Sequence, residues 1–137
     1  PSLGTGGDPA AIQVFDAHTT EQIAEWRHNR TPIPEQIRIL ADICRHLNET
    51  VNDSRSIYFS VENNTIGEAA LISIAEYGEE NIDGYFLSEP GGGGGRRYRK
   101  GFNTTNKTKL AVCAKFKALI SASAEDNATK VWILDDQ

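Results

Sequence analysis

The alternation of apolar and polar positions divides the chain into short strands and three helices. Ile12, Val14 and Phe15 give residues 10–16 the apolar content of a strand. Thr19-Thr20 supplies a turn, and a second strand follows over about 22–27, which makes a hairpin. Pro34 fits the first turn of a helix but not its interior. Ile37, Leu40, Cys44 and Leu47 then recur at helical spacing, predicting a helix to about residue 48, with a polar loop over 48–55. The clearest strand is 56–62, where Ile57, Phe59 and Val61 alternate with Tyr58, Ser60 and Glu62. Apolar content on both faces predicts an interior strand of a covered sheet. Asn63-Asn64 forms a turn, and Thr65 with Glu68 reads as a capping box opening a helix. Its stripe is Ile66, Ala70, Ile74 and Tyr77, and it stops near Gly78. A short strand is expected over 82–87. Residues 88–101, with Pro90, five consecutive glycines and a basic group, read as a mobile loop. The last helix is expected over 106–121 with Val112, Cys113, Phe116, Leu119 and Ile120 inward, and a final strand over 129–134. This order predicts a single α/β domain with a mixed sheet.

Composition narrows the class. With 137 residues the chain has room for one core, and 39% hydrophobic with 24% charged residues is ordinary for a globular protein. No apolar run reaches the length of a membrane span and no charged-then-apolar leader opens the chain, so neither a membrane partner nor secretion is expected. Cys44 and Cys113 fall on the apolar sides of their helices and read as small buried hydrophobes. The chain starts at Pro1 and contains no Met, which predicts a processed product or a fragment. The net charge of −5 is not that of a freestanding DNA-binding domain, but it is unevenly spread. Acids dominate from Glu62 to Glu89. Arg96, Arg97, Arg99, Lys100, Lys107, Lys109, Lys115 and Lys117 follow. Carboxylates that hold cations beside cations that hold phosphates suit a metal-dependent nuclease; a solvated basic face would give the same composition.

Glu62 ends an apolar strand just before a helix, the edge of an α/β sheet where ligands bind. A cation ligand and a strand-end acid reaching water weigh equally there. Asp8 closes a Gly-rich turn before a strand; by position alone it reads as a turn residue bonding nearby backbone. Glu68 has its capping role, and Asp135-Asp136 lies at the chain end. His18, His28 and His46 show no metal-ligand spacing. Gly91–Gly95 is followed by Arg96-Arg97-Tyr98 and not by Lys-Ser/Thr, which excludes a P-loop.

Three segments carry a resemblance. Pro1-Ser-Leu-Gly-Thr-Gly-Gly-Asp8, leading into the strand to Asp16, resembles the first nuclease motif of the large terminase subunits of tailed bacteriophages, closest to those of T-even-like phages. Ile57-Tyr-Phe-Ser-Val-Glu62-Asn-Asn-Thr-Ile-Gly67 resembles the second. Gly101-Phe-Asn-Thr-Thr105-Asn-Lys-Thr-Lys109 resembles the stretch leading into the next helix. The resemblance spans roughly residues 1–120 and rests on three motifs in the correct order.

It implies a ribonuclease H-like mixed sheet flanked by helices, and a metal-dependent endonuclease that cuts concatemeric double-stranded DNA during packaging. It also implies two Mg²⁺ or Mn²⁺ ions, about 3.5–4 Å apart in such sites. Glu62 matches the middle catalytic acid and metal ligand. Asp8 matches the second acid of the first motif and takes an accessory catalytic and metal-binding role. Arg96, Arg97, Arg99, Lys100, Lys107 and Lys109 become candidates for contacting DNA phosphates. An ATPase domain, a small terminase subunit and a portal are the implied partners, and the host cytoplasm the implied location.

The sequence departs from the family at both ends. The first catalytic Asp would directly precede Pro1, and nothing matches the His-Asp-Asp-like motif of the last acid; Asp135-Asp136 comes too early. The expectation is therefore a nuclease domain truncated at both ends, with little activity of its own. Gly91–Gly95 has no counterpart in the family. Two other readings stand beside this one: another ribonuclease H-like nuclease of resolvase or integrase type, and a non-catalytic DNA-binding module with the same fold.

Overall fold

In the computed structural model, residues 1–51, 57–88 and 100–125 are described. The chain is an α/β protein whose described part holds three α-helices and two small sheets. It divides into two compact units, Pro1–Ala10 with His28–Thr104, and Ala11–Arg27 with the segment from Thr105 onward.

Strands β1 (Ala10–Asp16) and β2 (Glu21–His28) pair as the expected hairpin. The link between them is too short for a parallel crossover. Asp16 caps its turn, its carboxylate accepting from the backbone N–H groups of His18 (2.7 Å) and Thr19 (3.3 Å). Those bonds favour the charged form and hold the Asp16 carboxyl below its ordinary value.

In the first unit, helix α1 (Ile33–Val51) starts at Ile33, puts Pro34 in its first turn and runs three residues past the expected end. It packs on α2 (Thr65–Tyr77). Ile33, Ile37, Ala41 and Cys44 of α1 meet Ala70 and Ile74 of α2 in one core with Ile57, Phe59, Val61 and Ile82. Each large aliphatic or aromatic side chain so buried contributes roughly 1.5–3 kcal/mol.

The expected strand over 56–62 is shorter in regular form. Strand β3 is Tyr58–Phe59, paired in parallel with β4 (Tyr85–Phe86), and Glu62 forms a separate parallel bridge with Phe102. The period-2 pattern holds, since Ile57, Phe59 and Val61 are buried while Tyr58, Ser60 and Glu62 are exposed. The second face is open, however. Tyr58 and Tyr85 are both more than half exposed, with ring centroids 5.9 Å apart, so the strand is covered on one face and not on two. A 3₁₀ turn at Glu79–Asn81 takes part of the span between α2 and β4.

One ladder continues along this edge. The carbonyls of Ile57, Phe59 and Val61 accept in turn from the N–H groups of Tyr85 (2.9 Å), Leu87 (2.8 Å) and Phe102 (3.0 Å). A parallel strand advances two residues per bond on each side. Phe102 therefore stands where an uninterrupted strand would place position 89. Residues 89–99, most of the span read as a mobile loop, lie outside the described residues.

In the second unit, α3 (Asn106–Glu125) is opened by a reciprocal cap: Thr105 Oγ1 accepts from the Thr108 N–H (3.1 Å) and Thr108 Oγ1 from the Thr105 N–H (2.7 Å). The expectation that its apolar residues turn inward is corrected. Val112, Cys113, Phe116 and Leu119 are all exposed, as is Leu110. Helical spacing marks a face, but it does not say whether that face is covered. Among the described residues, no helix is long and apolar enough to cross a membrane. The strand expected over 129–134 lies outside the described residues.

Candidate functional site at Glu62

Glu62 sits where the buried alternation of Ile57, Phe59 and Val61 ends, and its residue is exposed. The backbone is held on both sides. Phe102 donates to the Val61 carbonyl (3.0 Å), and the Asn63 N–H donates back to the Phe102 carbonyl (2.6 Å). These two bonds bracket Glu62.

The next turn is built by Asn64 and corrects the expected capping box. Asn64, one residue before Thr65, is the N-cap; its Oδ1 accepts from the N–H groups of Ile66 (3.1 Å) and Gly67 (2.9 Å). Gly67 is required by close approach, because a Cβ there would overlap the Glu62 carbonyl oxygen. A strand ending in an acid is thus turned directly into a helix whose first turn lies against that acid's main chain.

Across from this turn lies a neck formed by Ser88 and Lys100–Phe102. Gly101 has φ +81°, and a Cβ on it would overlap the Val61 carbonyl oxygen. Its N–H donates to Ser88 Oγ (3.1 Å). Asn63 Nδ2 donates to the Lys100 carbonyl (2.9 Å). The Lys100 ammonium is ion-paired with Glu79 and stands 5.5 Å from the centre of the Phe86 ring.

Of the other expected residues, Asp8 is exposed in the bend before β1. Its turn is anchored by Gly6, whose N–H donates to the Asn29 carbonyl (2.8 Å) and whose carbonyl accepts from Asn29 Nδ2 (3.2 Å). Lys107 and Lys109 are exposed near the start of α3. Arg96, Arg97 and Arg99 lie outside the described residues, as do Asp135 and Asp136. Among the described residues, no group of three or more His, Cys, Asp or Glu side chains is placed to hold a metal ion. An open depression of about 430 Å³ is lined by Glu79, Glu80, Ile82, Gly84, Tyr85, Phe86 and Lys100, without Glu62.

Sequence reading missed the roles of Asn63, Gly67 and Gly101. The two glycines carried a signal, since each adjoins a predicted strand or helix end where backbones approach closely. The Asn63 bond carried none, because it joins positions 37 residues apart. In comparisons with known proteins, the chain matches no protein-family model, no curated sequence and no solved structure.

Proposed function

We propose that this chain is part of the nuclease domain of a phage large terminase, a metal-dependent endonuclease of ribonuclease H-like fold acting on double-stranded DNA. The observation that carries the reading is the placement of Glu62. An exposed carboxylate closes the strand of buried Ile57, Phe59 and Val61, and an Asn-capped helix follows at once. That is the rim of an α/β sheet on which ligands bind.

The donor chemistry fits a hard divalent cation such as Mg²⁺ or Mn²⁺, which prefers carboxylate oxygen. Glu62 would hold it, with Asp8 as accessory acid, and the resemblance assigns the other ligands to acids outside this sequence. Bound there, two cations would lower the pKa of a water and stabilise the departing oxygen. In the hydrolysis, water oxygen bonds to phosphorus, one phosphorus–oxygen bond of the backbone breaks, and the leaving oxygen takes a proton. Glu62 fixes the position of this chemistry on the rim. Lys107 and Lys109, with Arg96, Arg97 and Arg99, would neutralise phosphates. Lys100 already shares its charge with Glu79, which weakens it as a phosphate contact. The partners on this reading are double-stranded DNA, an ATPase domain, a small terminase subunit and a portal, in the host cytoplasm.

The test is nicking of supercoiled plasmid by the full-length protein with Mg²⁺ or Mn²⁺. Cutting is expected only with metal, and Glu62→Ala is expected to abolish it while leaving the fold intact by circular dichroism. DNA binding without cutting would instead establish a non-catalytic module.

A further inference from the structure

We propose that Asn63 is the positioning residue of this site, tying the segment Lys100–Phe102 to Glu62 so that the placement of one sets the placement of the other. The inference rests on the nuclease reading for its catalytic consequence, but the tie itself is a matter of hydrogen bonds.

Glu62 has no rigid surroundings of its own. It is exposed, and the regular pairing of β3 ends at Phe59. Its backbone is fixed by neighbours on two sides. On one side is the first turn of α2, where Gly67 lies against its carbonyl. On the other is the segment Lys100–Phe102, where Phe102 bonds both Val61 and Asn63. Phe102 joins the ladder beyond β4, whose regular pairing ends at Phe86, so the second hold rests on the neck.

The neck is closed by three contacts. Gly101 donates to Ser88 Oγ (3.1 Å), Lys100 pairs with Glu79, and Asn63 Nδ2 donates to the Lys100 carbonyl (2.9 Å). Of these, the Asn63 contact alone reaches from the neck to the residue next to Glu62. Asn63 thus grips the returning strand twice, through its own N–H at Phe102 and through its side chain two residues earlier, across the bend at Gly101.

The chemistry of the contact makes it testable. A carbonyl needs a donor, and the Asn amide has one. Asp has the same shape with no donor and sets a carboxylate against the carbonyl. Gln keeps the donor on a longer stem. The bond is solvent-exposed, so its loss is expected to move the melting temperature little. Catalytic geometry is far less tolerant of displacement.

The experiment compares Asn63→Asp, Asn63→Ala and Asn63→Gln in the full-length protein. One readout is the split of kcat and KM in Mn²⁺-dependent plasmid nicking, and the other is hydrogen–deuterium exchange of the Phe102 amide. For Asp and Ala, kcat is expected to fall about 10- to 100-fold, the range for residues that orient metal ligands. KM for plasmid should stay within about twofold and Phe102 should exchange faster, and Gln should recover most of both readouts. Unchanged kcat, a loss carried by KM, or Gln no better than Ala would overturn the proposal. If the wild-type protein does not cut, the nuclease reading falls, and exchange alone judges the tie. Faster exchange of Phe102 in Asn63→Asp then sustains it, and unchanged exchange overturns it.

Discussion

Gln36 is a polar side chain placed in a core, and it ties the N-terminal segment to α1. Its Nε2 donates to the carbonyls of Ser2 and Thr31, both at 2.7 Å, and its Oε1 accepts from the Ser2 N–H at 3.4 Å. Only 4% of Gln36 is exposed. Beside it the Ser2 hydroxyl is buried without a hydrogen-bond partner among the described residues. Two substitutions should therefore act in opposite directions. Gln36→Leu removes the donor from two carbonyls and is expected to cost about 1–3 kcal/mol. Ser2→Ala removes an unpaired hydroxyl and is expected to be neutral or stabilising by up to about 1 kcal/mol. Urea denaturation midpoints read both; a Gln36→Leu midpoint equal to wild type would show that the amide contributes nothing net. The sequence does not display this feature. Position 36 falls on the helix face of Ile33 and Ile37, where pattern alone expects an apolar residue.

At the scale of elements, the start of α2 gives the sharpest prediction. Asn64→Ala deletes the acceptor for the Ile66 and Gly67 N–H groups and is expected to cost about 1 kcal/mol by chemical denaturation. Thr65→Ala should cost less, because the cap is not there; a larger loss at Thr65 would restore the capping box read from sequence. The one-residue difference shows what local pattern can resolve. It found a helix start, since Asn, Thr and a following Glu all favour one, but it did not choose between adjacent polar residues. The hairpin, the period-2 burial of residues 57–62 and the stripes of α1 and α2 were legible because each is a local periodicity. The open outer face of β3 was not, because Tyr58 suits either a covered or a wet face. The outward apolar residues of α3 were not legible either. Phe102's return to the ladder depends on a neck closed by Ser88, Asn63 and Glu79, and no spacing in the chain announces it. The Glu62 position itself was legible, as a strand end, while the groups that hold it were not.

At the scale of the molecule, the two cysteines report on different compact units. Cys44 is buried in the α1–α2 core of the first, and Cys113 is exposed on α3 in the second. This corrects the expectation that both are buried. Burial, and secondarily the negative charge of Asp83, pushes the Cys44 thiol up to about 11 from an ordinary 9.0. The unfolded chain therefore gives up this proton near pH 9, while the folded chain keeps it until about 11. Between those values the folded state binds more protons, so stability from this group is complete below pH 9 and declines as pH rises through 11. Cys44→Ala should flatten that decline, at the expense of a cavity that lowers stability at every pH. Thiol alkylation gives the matching kinetic test, because only the thiolate reacts. At pH 8 without denaturant, the exposed Cys113 is expected to be labelled in the native protein. Cys44 should react only as the first unit opens, its protection falling in step with the urea transition. Equal labelling of both cysteines in the native protein would mean that the core around Cys44 opens without unfolding. The hold on Glu62, built on that core through Val61 and α2, would then be too weak to fix a catalytic acid.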